Sequence, residues 1–178
     1  TIERRPMVSL AAGLAVLDTL ASLMPECPFV LKWPNDVLLG DLKVCGILIE
    51  QHSIGERQDI IIGIGVNVNN SLLDAPAEIA QRAVSLFDLE GHSFDMTAVL
   101  IEILRSLSQR IQQLTIQPRL ALAETNHQNV LTGRIVTLQV CDSKITGVCV
   151  GIDDEGQLVL QTETQLHRCA SGIVVKWE

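Results

Sequence analysis

The sequence predicts an α+β protein: a mixed β-sheet with packed helices, followed by a small all-β domain. Three observations predict it. A long apolar run with helical spacing opens the chain, and short strand-like runs crowd residues 29–68. Five more strand runs, each closed by turn residues, follow residue 126. The expected division is residues 1–125 and residues 126–178. At 178 residues the chain can build one good core and a small second domain.

In RRPMVSLAAGLAVLDTLASLM, residues Leu10, Leu14, Leu17, Ala21 and Met24 fall on one helical face, and Pro25 ends the pattern. Arg4 and Arg5 ahead of an apolar run resemble a secretory leader. The pattern continues amphipathically through Asp18 and Ser22, however, so a core-facing helix and no membrane span is expected. Residues 29–32 read as a strand and Trp33-Pro34-Asn35-Asp36 as a turn, because proline presets φ and Asn and Asp bond the local backbone. Residues 37–39 and 44–49 read as strands joined near Gly40-Asp41, and residues 60–68 as another. Asp74 is expected to cap a helix with Pro76 in its first turn. Asp95 caps a longer one, in which Leu100, Leu104, Leu107, Ile111 and Leu114 form a buried stripe. Pro118 starts a last helical piece, and ETNHQN (124–129) is polar and aperiodic, as a linker should be. Residues 134–140, 145–152, 158–162, 166–169 and 173–177 then alternate with turns, which argues for a small closed or half-closed β-barrel.

Composition removes several classes of function. The net charge is −8, Tyr is absent and aromatics are 3%. Neither a phosphate-tracking stripe nor a stacking platform can be built from that, so no nucleic-acid partner is expected. Five cysteines without a C-x-x-C fit neither a zinc site nor a disulfide framework; reduced, buried thiols in a cytoplasmic protein are expected. His52, His92, His127 and His167 are scattered without metal spacing and read as surface residues.

LKWPNDVLLGDLKVCGILIE sets Lys32, Asn35, Asp36 and Lys43 into an apolar run. A desolvated charge is costly unless a partner or a ligand pairs it. Lys43 followed three residues later by Gly46 suits an anion held against open backbone, or else an edge lysine snorkelling beside a packing glycine. Lys32, Asn35 and Asp36 on one turn suit a nucleotide phosphate and Mg²⁺, or an ordinary Asx turn. GIGVNVN lacks the third glycine and the following helix of a dinucleotide loop. As a strand it puts Gly63, Gly65 and Asn67 on one bare face, either a pocket floor or a bulged strand under a helix.

KWPND, then K-x-x-GIL-x-E, then GIGVNVN resemble the biotin protein ligases, as do SLAAGLAVLDTL before them and AVSLFDLEGHSFD after them. The resemblance covers nearly the whole chain. It implies a core like that of class II aminoacyl-tRNA synthetases and an SH3-like C-terminal barrel. It also implies an enzyme that joins biotin and ATP into biotinyl-5′-adenylate and hands biotin to a lysine of a biotin carboxyl carrier protein or similar domain. Lys43 and Lys32 become the catalytic cations. Lys43, Gly46, Gly63 and Gly65 line the biotin side; Lys32, Asn35, Asp36 and Asn67 lie on the ATP side; and Asp36 holds Mg²⁺. A homodimer is a further expectation. The family's Gly/Arg-rich biotin-binding loop, its upstream Ser/Thr segment and its biotin-gripping glutamine are not among these residues, so a fragment or a shortened relative is expected. The rival reading is a non-catalytic ligase-like module that docks a carrier domain or a partner subunit.

Overall fold

A computed structural model describes residues 5–55 and 57–178; Arg4 of the leader-like run lies outside them. The chain runs α1 (Arg5–Leu23), β1 (Phe29–Lys32), β2 (Asp36–Leu39), β3 (Leu42–Ile54), β4 (Arg57–Val66), α2 (Ala77–Ala80), α3 (Leu86–Glu90), α4 (Met96–Ile116) and α5 (Pro118–Gln128). It then runs β5 (Ile135–Val140), β6 (Ser143–Ile152), β7 (Leu158–Gln161), β8 (Leu166–Cys169) and β9 (Ile173–Trp177). The first four strands form one sheet in order β1-β2-β3-β4, and the last five a second in order β8-β7-β6-β5-β9. The expected mixed sheet is antiparallel in every ladder. Among the described residues parallel pairing occurs only in two isolated bridges, Leu31 with Asn129 and Lys43 with Ala83. The reason lies in the connections: consecutive strands are joined by tight turns, and a parallel pair needs a long crossover. Gly40, at φ +58°, turns the β2–β3 hairpin where it was expected.

Helix α1 is the spine of the first unit. Leu10, Leu14, Leu17 and Met24 are buried as expected, and Met7 joins that face, but Ala11, Ala15, Val16 and Leu20 on its other sides are buried too. The amphipathic expectation is therefore corrected: the first sheet covers one side of α1, and α4 and α5 cover the other. Its stretch Pro6–Leu23 has a mean hydropathy of 1.6, long and apolar enough to span a membrane, yet 67% of it is buried inside the fold. Gly13 allows the closest approach to the sheet, since a β-carbon there would sit 2.4 Å from Leu31 Cδ1. Arg110 of α4 clamps the helices together. It donates twice to Asp18 of α1, at 2.7 Å each, and also to Glu124 of α5.

Four local expectations change. Asp74 does not cap a helix; α2 starts after Pro76 without a side-chain cap. On α4, capped by Asp95 as expected, Leu107 and Leu114 pack against the core as expected, but in the first turns the core face is Val99 and Ile103, while Leu100 and Leu104 are each 55% exposed. That helix is apolar on more than one face, so periodicity alone did not choose between two stripes one residue apart. The stretch 124–129 is no loose linker. Most of it is helix, and Asn126 locks onto both backbone groups of Ile152. The second sheet is open, because its edge strands β8 and β9 do not pair with each other. The five cysteines are free, but only Cys45, Cys149 and Cys169 are buried; Cys141 is exposed in the β5–β6 turn.

Candidate active site

Register decides which side chains meet. Lys32 pairs with Asp36 across β1–β2, and Asp36 pairs with Gly46 across β2–β3. Directly opposed residues point the same way, so all three share the outer face, away from α1. Lys43 would be on the wrong face of a regular strand, since three residues separate it from Gly46. A bulge corrects this. Val37 pairs with Cys45 but Leu38 with Lys43, which leaves Val44 as the extra residue. The bulge turns Lys43 over Gly46, where a β-carbon would lie 2.7 Å from the ammonium. Lysine and glycine three apart therefore work as one device: Gly46 is bare because Lys43 lies across it.

The Lys43 ammonium rests 2.5 Å from Asp36 Oδ1. That oxygen is sealed from solvent and has no hydrogen bond of proper geometry. Lys43 itself is still partly exposed. Gly65 pairs with Gly46, and Gly63 with the exposed Leu48, so the bare face continues across β4. Added β-carbons at Gly63 and Gly65 would make only ordinary contacts, 3.6 and 3.8 Å. These two glycines thus leave space above the sheet rather than relieving a clash inside it. Burial pulls the Lys32 pKa below the usual lysine value; Asp36 pushes it back up and Lys43 pushes it down again. Burial also drives the thiol of the neighbouring Cys45 up to about 12, which rules it out as a nucleophile at neutral pH.

The turn is held rigidly from several sides. The Trp33–Pro34 peptide is cis. Ser9 of α1 donates to the Pro34 carbonyl, and the Asn35 amide donates to the Ile47 carbonyl at 2.7 Å. Trp33, fully buried, donates through Nε1 to the Gly156 carbonyl in the β6–β7 turn of the second sheet, while its backbone N–H donates to Asn129 Oδ1. Fixed donors cost no reorganisation when charge develops, so such bracing matters for electrostatic catalysis.

The structure brings Lys32, Asp36, Lys43, Gly46, Gly63 and Gly65 onto one face. Asn35 is beside it, with its amide tied to β3. Asn67 is not part of the strand face: β4 ends at Val66, and the Asn67 backbone bonds Val44 and Leu86 instead. Sequence reasoning missed two neighbours. The segment Arg82–Ala83–Val84 zips onto Lys43 through backbone bonds of 2.8 and 3.0 Å. Trp177 of β9 places its ring centroid 4.5 Å from the Lys32 ammonium. Nothing in a single sequence marks a contact across 145 positions, although tryptophan is rare in this chain. Beside the turn, an open cavity of about 580 Å³ lies between Pro34, Asn35, Leu48 and Ser171. Among the described residues no three His, Cys, Asp or Glu side chains gather as a metal site.

Residues 2–67 match the biotin/lipoate A/B protein ligase family, and residues 131–177 match the biotin protein ligase C-terminal domain. The crystal structure of biotin protein ligase from Aquifex aeolicus superposes with a TM-score of 0.83 at 30% identity, covering 99% of this chain and 76% of that one. The chain belongs to the biotin protein ligase family. The same Aquifex ligase in complex with biotin and ATP aligns with a TM-score of 0.82 at 30% identity, over 98% of this chain and 72% of that one. Among curated relatives, the biotin–[acetyl-CoA-carboxylase] ligase of Mycobacterium tuberculosis is 36% identical over 94% of this chain and 61% of its own length. The bifunctional ligase/repressor BirA of Bacillus spizizenii is 30% identical over 96% of this chain and 53% of its own length. The chain thus spans between half and two thirds of these curated ligases.

Proposed function

We propose that this protein activates biotin with ATP to biotinyl-5′-adenylate and transfers the biotin to a lysine of a carboxylase carrier domain. One observation carries the reading. In a chain of this family, Lys32, Asp36 and Lys43 converge on the outer face of the first sheet, beside a floor of Gly46, Gly63 and Gly65. Activation brings the biotin carboxylate up to the α-phosphate of ATP, where two anions repel and charge builds as the acyl–phosphate bond forms. Lys43 is the cation that meets both. In the free protein Asp36 holds its ammonium over Gly46, so it is already on the face where the carboxylate arrives. Lys32 adds a second positive charge on the nucleotide side. Preorganised donors of this kind are typically worth ~2.7–4 kcal/mol each.

Asp36 fits the carboxylate expected for Mg²⁺, which usually takes one or two protein carboxylates and fills its shell with phosphate and water. In the free protein its Oδ1 faces the Lys43 ammonium at 2.5 Å, so an ion there would share the carboxylate with Lys43. When bound, the ion would neutralise polyphosphate charge. Asn35 and Asn67, on the nucleotide side, act mainly by fixing the turn and the end of β4. Residues 1–125 form the ligase core in this reading. Residues 126–178 form an SH3-like domain, a reading supported by the register breaks at Val175 of β9 and Val150 of β6, since bulges curve a sheet. The free cysteines suit a cytoplasmic enzyme.

The test is direct. The protein is incubated with biotin, ATP and magnesium, and pyrophosphate is followed with and without biotin, with lipoate as competitor. Biotin-dependent release, followed by labelling of a carrier domain, is expected. Release that ignores biotin, or that lipoate supports equally, overturns the assignment.

A further inference from the structure

We propose that Trp177 is a positioning residue for Lys32, so that the second sheet completes the candidate active site; the proposal rests on the ligase reading of Lys32. The chain holds two tryptophans and no tyrosine, and both tryptophans sit at the joint between the two sheets. Trp33 is pinned from the second sheet by the Gly156 carbonyl. Its neighbour Lys32 has the Trp177 ring 4.5 Å from its ammonium.

The kind of partner matters. Asp36, opposite Lys32 in the register, has its Oδ1 on Lys43, and among the described residues no carboxylate lies within ion-pair distance of Lys32. A carboxylate partner would neutralise Lys32 and compete with an incoming phosphate. An aromatic face attracts the ammonium without neutralising it, and it occupies one side of the group only. The N–H donors on the other sides stay available to an anion. The ring is itself immobilised. Trp177 pairs with Val136, and the next residue, Glu178, exchanges both backbone hydrogen bonds with Ile135. A long flexible lysine is therefore held with its charge intact, by a ring anchored in a different sheet.

Only four lysines are present, so Lys32 can be followed individually by NMR on lysine-labelled protein and assigned through Lys32→Arg. The experiment compares Trp177→Leu, which removes the π face, with Trp177→Phe, which keeps one. In wild type the Lys32 ε-methylene protons are expected well upfield, under the ring current. Trp177→Leu should return them to the position of a free lysine and raise KM for ATP about tenfold in biotin-dependent pyrophosphate release. Trp177→Phe should stay within about threefold of wild type, with both melting temperatures little changed. An unshifted Lys32 in wild type overturns the proposal, as does a Phe variant as impaired as the Leu variant, which would mark Trp177 as structural only. Wild type that releases no pyrophosphate rejects the ligase reading instead. The role of Trp177 is then decided by titrating the Lys32 resonance with ATP, and equal affinity in wild type and Trp177→Leu rejects it.

Discussion

Strands β3 and β4 carry two surfaces of opposite character on one backbone. Inward, Cys45, Ile47 and Ile49 oppose Val66, Ile64 and Ile62, a ladder of branched apolar side chains laid on α1. Outward, Gly46 and Leu48 oppose Gly65 and Gly63, and the face is open. Alternation alone separates them, since side chains switch faces at every residue. Stability and chemistry can therefore be changed one residue apart, and substitutions along residues 43–48 test whether the separation holds.

The largest effect is expected inside. Ile47 is 3% exposed in the core, so Ile47→Ala should cost ~2–5 kcal/mol of stability. The check is a denaturant midpoint that falls sharply while the adenylation rate per folded molecule stays near wild type. A rate that collapsed with the fold still intact would show that the inner face also tunes the site.

Lys43→Ala should do the reverse. Losing one preorganised cation should lower biotin-dependent pyrophosphate release by about 10²–10³. Stability should fall as well, but by no more than ~1 kcal/mol, because the Lys43–Asp36 pair is partly solvent-screened. An unchanged rate would return Lys43 to the role of a snorkelling edge lysine.

That contrast also explains what could be read in advance. Residues 29–49 were legible because turn chemistry, strand alternation and out-of-place charges pointed the same way. The Lys43–Gly46 pair was visible as a spacing. Its cause, the bulge at Val44, was not, because a bulge exists only relative to a partner strand. The outer stripe of α4 was misread because Leu100 and Leu104 repeat as regularly as Val99 and Ile103, and only the position of α1 chooses between them. Asn67 was placed on the strand because valines on both sides of it suggested that β4 continued. Trp177 and the Arg82–Val84 segment reach the site by long-range contacts that leave no local pattern.

Gly46→Ala sharpens the comparison without touching a charge. The new methyl would lie 2.7 Å from the Lys43 ammonium and must push it off Asp36. Displacement on the scale of an ångström should slow adenylation about 10- to 100-fold. Stability should hold, because alanine loses less backbone entropy than glycine in a strand and that gain offsets the loss of the Lys43–Asp36 pair. Paired midpoint and rate measurements decide it. A loss of both would mean that Gly46 is a packing glycine and that the lysine had nowhere to go.

The smallest effect belongs to Leu48, next to Ile47 on the same strand but 61% exposed. On the free protein its side chain mostly contacts water, so Leu48→Ala should change stability by no more than ~0.5 kcal/mol. If biotin lies on this face, the leucine gains cover only when the ligand arrives. Partial burial of one or two methylene equivalents, at ~0.8 kcal/mol each, corresponds to a biotin affinity weakened about four- to fifteenfold. Calorimetry of wild type and variant with biotin measures this alongside the melting temperature. Unchanged affinity would move the ligand off the outer face of β3 and break the division drawn here. Lowered stability would show that the leucine is already covered in the free protein. A weakened affinity at unchanged stability leaves Ile47 and Leu48, adjacent and alike in chemistry, with separate tasks set only by the side of the sheet on which each falls.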